Sequence, residues 1–176
     1  MRILSRVMKV AILVLVPQLA WAQGQLRAGV AKAVITPDVH KHKVYLAGFG
    51  HNRIATGVHD DLYARCLALE AGGQILVLCS VDVIGLFYDD VLKIRDQVKE
   101  QAPEVSHLIV ASTHVHEGPD TLGLWGSDPL HTGMDENYLD SLDLQVAATA
   151  VRAAKSMQPA RMELSRDDHP LLELLQ

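Results

Sequence analysis

The sequence predicts an α/β fold: a mixed sheet with a β-α-β unit and flanking helices. Three observations carry this. Apolar runs of strand length recur at Ala28 to Val34, Leu62 to Glu70, Gln74 to Val81 and Ser106 to Ser112. Gly72-Gly73 separates the middle two as a hairpin turn does. Between the last two, the apolar spacing lengthens to the helical period at Val91, Ile94, Val98 and Ala102.

The first segment reads as an export signal. Arg2, Arg6 and Lys9 give a positive start, and Val10 to Val16 is apolar. That run is shorter than the roughly 20 residues that span a bilayer. Ala20-Trp21-Ala22 supplies the small residues a signal peptidase reads, which places the cut before Gln23. Residues 1–22 are therefore expected to be a signal peptide, and the protein secreted or periplasmic. A membrane anchor is the alternative, and the small-x-small site directly after the apolar run argues against it. No cysteine follows the run, so a lipid-anchored form is not expected.

What remains, about 150 residues, is the size of one domain. The net charge of -5 is mild, and the absence of a basic cluster gives no reason to expect nucleic acid as a partner. Nine histidines stand out. Ala28 to Val34 opens the fold as a strand and ends at Thr36-Pro37. A polar, His-rich stretch and the glycines of Tyr45-Leu46-Ala47-Gly48-Phe49-Gly50 follow, where backbone must bend or approach something closely. The hairpin strands are apolar on both faces, as in a sheet covered on both sides. Counting outward from the turn sets Cys66 opposite Cys79 at a non-hydrogen-bonded pair, where a disulfide can form. Two buried thiols are the alternative.

Asp89 or Asp90 is placed to cap the first helix, and Pro103 ends it. After the strand to Ser112 comes a Gly/Pro/Asp-rich loop, Gly118 to Gly133, that carries Trp125 as a lid or a core residue. Asp135 starts a second helix with Leu139, Leu142, Val146, Ala150 and Met157 along one face. Ala160 to Leu164 is expected to begin another strand.

The β-α-β unit makes its strands parallel, so their carboxyl ends share one sheet edge, where α/β folds place ligands. Asp82 ends one strand and His114 follows the other. In Ser112-Thr113-His114-Val115-His116-Glu117-Gly118-Pro119, two histidines two residues apart on extended backbone face the same way. They can reach one metal ion, or one can bind metal while the other bonds substrate; two loop histidines without a role are the alternative. Zinc suits imidazole and carboxylate ligands and keeps an open position when catalytic. His59-Asp60-Asp61 offers a further histidine with a carboxylate to orient it, or a solvated turn. Asp82 can orient a ligand, bind metal or serve a turn. Arg65, among apolar residues, calls for an anionic partner if buried, and Asp82 or a substrate group would serve. His40, His42, His51, His107, His131 and His169 receive no role.

Four stretches in order resemble the neutral/alkaline, non-lysosomal ceramidase superfamily. They are Gly29-Val30-Ala31-Lys32-Ala33-Val34-Ile35-Thr36-Pro37; Leu46-Ala47-Gly48-Phe49-Gly50; Thr56-Gly57-Val58-His59 with Tyr63-Ala64-Arg65; and the His-x-His stretch. The last is similar to the family's Thr-His-Thr-His-Ser-Gly-Pro. The resemblance implies a zinc-dependent hydrolase of the ceramide amide bond, with a lipid amide substrate and peripheral membrane contact. It makes His114 a zinc ligand, places His116 in the active site, and sets Gly48 near the substrate carbonyl. His59 is taken as a second candidate ligand and Asp82 as a catalytic candidate. The family's other ligands, a His, a Glu and a Tyr, lie far downstream, so the remaining ligands of the single zinc are expected outside this chain. His169, in Asp167-Asp168-His169-Pro170, does not resemble them. Residues 23–176 thus read as the N-terminal part of a larger α/β hydrolytic domain. Val115 stands where the family has Thr, and Glu117 where it has Ser. These departures keep open an esterase or amidase with another substrate, and the chain's length keeps open a non-catalytic fragment.

Overall fold

A computed structural model of the protein describes residues 25–164. The expected signal peptide and His169 lie outside the described residues. The chain runs β1 (Arg27–Val34), β2 (Tyr63–Ala71), β3 (Gln74–Val81), α1 (Tyr88–Gln101), β4 (His107–Ser112), α2 (Glu136–Lys155) and β5 (Gln158–Pro159). The sheet order is β4-β3-β2-β1-β5. β3 and β4 pair in parallel across α1, and the other neighbours are antiparallel. This is the mixed α/β architecture that the sequence predicts.

The β2-β3 register pairs Ala71 with Gln74 and Cys66 with Cys79. The two cysteines are bonded to each other, with their Cα atoms 4.1 Å apart. α1 starts where the apolar period does, and Asp90, its third residue, accepts the amide of Phe87 ahead of the helix. At the start of α2, Asp135 accepts from the amides of Asn137 and Tyr138, satisfying two of the donors that a helix start leaves free.

The core lies between the sheet and the two helices. Ala64, Cys66 and Ala68 of β2 alternate inward with Val77, Cys79 and Val81 of β3. They meet Ile94 and Val98 of α1 and Leu142, Val146 and Ala150 of α2. Each fully buried Leu, Ile or Val among them contributes about 1.5–3 kcal/mol. α2 lies over β1, β2 and β3 and packs against α1. It comes so near β1 that a Cβ on Gly29 would stand 2.2 Å from the Ala153 carbonyl oxygen.

Two expectations differ from the structure. The sheet is covered on one face only: among the described residues no element covers the other, where Val30 is 71% and Ile109 50% exposed. The sequence pattern reports that both faces are apolar, and does not report what meets them. The last strand also falls earlier than Ala160 to Leu164. β5 is Gln158–Pro159, paired with Ala28 and Arg27, and the Ala160 amide adds a bond to the Leu26 carbonyl. The register then runs past the beginning of β1, so the following residues have no strand to pair with.

Candidate active site

The parallel pairing of β3 and β4 sets Val81 beside Ser112, so the loops after both strands leave from one edge. Asp82 and the His-x-His stretch meet there, as the topology predicts. Asp82 is tied into its own network. Its Oδ2 accepts from the Tyr63 amide at 2.9 Å and from Arg65 Nη1 at 2.6 Å. Its Oδ1 accepts from the Thr113 hydroxyl at 3.3 Å. Arg65 is exposed rather than buried, and Asp82 is nonetheless its anionic partner; Asp82 also fastens the residue before His114 to the start of β2.

His114 takes a left-handed backbone, φ 59°. Non-glycine residues adopt that region rarely, and such outliers gather at functional sites. Its Nδ1 lies 2.8 Å from the Ile84 carbonyl oxygen. A carbonyl only accepts, so in the neutral ring Nδ1 carries the proton and Nε2, with no hydrogen-bond partner among the described residues, keeps its lone pair. That is the tautomer a metal-ligating imidazole needs. The His116 ring stands 5.3 Å from the His114 ring, centre to centre.

His116 lies against the backbone of Gly48. A Cβ there would be 2.6 Å from the imidazole Cγ and Nδ1, and the residue has φ 110°. Both facts restrict the position to glycine. The Phe49 ring meets His116 edge-on at 5.2 Å. The segment carrying Gly48 and Phe49 is a hairpin closed by the bridge between Tyr45 and Ile54. It is stitched to the His loop, with the Ala47 amide donating to the Gly118 carbonyl and the Glu117 amide to the Ala47 carbonyl.

A cleft of about 610 Å³ opens beside His116. Val39, Val44, Leu46, Ile54, Val58 and Leu62 supply apolar walls. Arg53, His59, Asp60 and Glu117 join His116 as its polar groups. His59 therefore lines the same cleft as His116, but its side chain is 95% exposed and its Nδ1 contacts Asp60 Oδ2 at 2.7 Å. Among the described residues no three His, Cys, Asp or Glu side chains converge as a metal site. His116 and His59 are the histidines that line the cleft, and His114 stands behind His116, ring against ring.

Sequence reasoning missed Phe49, Arg53 and Asp120. Phe49 and Arg53 flank a glycine it did single out, yet their contacts with His116 and Glu117 cross more than 60 positions of chain. Asp120 could have been flagged as the acid directly after Gly118-Pro119 in a glycine-rich loop.

No family model matches the sequence, and no curated protein matches it. Solved structures do. The neutral ceramidase from Pseudomonas aeruginosa aligns with a TM-score of 0.64 and 24% identity, over 77% of this chain and 22% of that one. A ceramidase complexed with C2 aligns with a TM-score of 0.65 and 24% identity, over the same shares. This chain thus has the fold of part of a ceramidase and spans about a fifth of those chains' length.

Proposed function

We propose, from the shared ceramidase fold, that this chain carries the His-x-His portion of an exported zinc-dependent amidohydrolase that cleaves ceramide or a related N-acyl lipid. The observation that carries the reading is His114. Its Nδ1 is held by the Ile84 carbonyl and its Nε2 is free, at the carboxyl ends of parallel strands. Imidazole nitrogen is a ligand type that zinc takes, and the two rings stand 5.3 Å apart, centre to centre. That donor chemistry suits zinc, with His114 as a ligand and His116 either a second ligand or a partner of the substrate. His59 is the further candidate ligand in this chain. A bound zinc would polarise the substrate carbonyl and acidify a water.

The chain's own groups do the rest. The cleft's apolar walls take an acyl chain, in keeping with a lipid amide and with contact at a membrane surface. Gly48 lets the backbone come close to the His116 ring, the approach that the resemblance assigns to the substrate carbonyl. His116 holds a proton for the amine that leaves as the C–N bond breaks and water's oxygen adds to the carbonyl carbon. Asp82, the other catalytic candidate, acts through Thr113, which it holds beside His114. The Cys66–Cys79 bond supports export, since disulfides persist in oxidising compartments.

A second reading is a unit without activity by itself. The lack of three converging ligands among the described residues favours it. Zinc content and hydrolysis of a panel of fluorescent N-acyl lipids and esters separate the readings. The proposal expects zinc bound by the protein and lost in His114→Ala, with fatty acid released from the amides. Zinc bound without turnover supports the second reading, release from esters alone makes the substrate class wrong, and zinc content unaffected by His114→Ala sinks the site assignment.

A further inference from the structure

We infer that Arg53 and Glu117 form a latch that fixes the imidazole of His116 in the cleft, which makes both of them positioning residues. The inference rests on the reading that His116 works in this cleft. Three contacts and a peptide bond close a ring, with Gly48 packed beside it. His116 packs against Gly48 on one side and meets the Phe49 edge on another. Phe49 is 59% exposed, so the hydrophobic core does not hold it. The Arg53 guanidinium covers its ring, 5.3 Å from the ring centre. Arg53 Nη2 then donates to both carboxylate oxygens of Glu117, at 2.8 and 3.0 Å. Glu117 follows His116 directly, so the ring returns to where it began.

Two further observations mark the latch as more than a passing surface pair. Glu117 has φ 69°, a left-handed conformation that an ordinary residue keeps only when its surroundings hold it. Its amide bond to Ala47 and its carboxylate bonds to Arg53 are those restraints. Arg53 Nη1, moreover, is buried with no hydrogen-bond partner among the described residues. The Glu117 carboxylate and the Phe49 face are therefore what hold this end of the guanidinium. Arg53 and Glu117 are 38% and 52% exposed, and exposed ion pairs contribute little to folding. Breaking the pair should free His116 and leave the fold standing.

That separation makes the latch testable by the ring signals of ¹⁵N,¹³C-labelled histidine, with His116 assigned by its loss in His116→Gln. In the wild type, Phe49 displaces the His116 ring signals through its ring current. In Glu117→Gln and Arg53→Met we expect that displacement to fall by half or more, with His114 signals in place and the melting midpoint within about 2 °C. The charge-swapped double variant, Arg53→Glu with Glu117→Arg, is expected to restore most of it. His116 signals that stay put in both single variants overturn the latch, as does a double variant no closer to wild type than either single. The readout needs neither zinc nor substrate. Failure of the hydrolase reading would appear instead as a wild type that binds no zinc and releases no fatty acid.

Discussion

Asp120 is 2% exposed, yet no cation among the described residues pairs with it. Its carboxylate instead gathers five backbone amides. Leu122, Gly123 and Leu124 donate to Oδ1, and Trp125 and Gly133 donate to Oδ2. One side chain thereby shapes the loop after the His-x-His stretch, and the Asp120 amide bonds the Tyr45 carbonyl of the neighbouring hairpin. Asp120→Asn keeps the size but turns an NH2 toward donors, leaving at least one buried amide unsatisfied. We expect a loss of about 1–3 kcal/mol in urea unfolding and a shift in Trp125 fluorescence. At this scale the sequence was informative where a residue type limits its own chemistry. His114 and His116 stood out as two imidazoles two positions apart beyond a strand end, although the expected extended backbone is broken by the left-handed turn at His114, φ 59°. Asp120 did not, because its role depends on where later amides return.

Between elements, the seam of α1 and α2 carries a charge problem. Asp143 of α2 is 1% exposed, and neither carboxylate oxygen has a hydrogen-bond partner among the described residues. Lys93 of α1 comes no nearer than 3.8 Å, and Asp90 and Asp140 share the same lysine. Burial raises the Asp143 pKa to about 7, with Asp90 adding to the rise and Lys93 opposing it. The folded protein therefore binds this proton more tightly than the unfolded chain does. The contribution is full below pH 3.8, falls as pH rises toward about 7, and is flat above that. Asp143→Asn should remove the slope in that window and raise stability at pH 8 by up to about 4 kcal/mol. Denaturation at pH 4 and pH 8 checks this; a variant no more stable at pH 8 would refute it. The helices themselves were legible, since Ile94 and Val98, and Leu142, Val146 and Ala150, keep the spacing of one buried face. The acidic seam was not, because nothing in either helix alone says which of its acids the other will cover.

Across the whole molecule, the sheet divides into a face under helices and a face that is open among the described residues. Val30, Leu67, Leu78 and Ile109 line the open side, flanked by Lys32 and Arg65. Four strands about 5 Å apart and about 25 Å long give this face, its polar residues included, roughly 500 Å². Val30→Lys and Ile109→Lys should each lower binding of a hydrophobic dye while changing stability by less than about 0.5 kcal/mol, because these side chains already meet water. A stability loss of several kcal/mol would mean that the face is packed in solution. Sequence alone determined β1 to β4, the helices, the hairpin register and the pairing position of the cysteines. Those follow from period, turn length and counting, which are local properties of the chain. Tertiary structure alone decided that the cysteines bond, that Asp82 serves Arg65 and Thr113, that Glu117 meets Arg53, and that one sheet face stays open. Each of these depends on residues far apart in sequence arriving within a few ångströms, and a linear pattern carries no record of that distance.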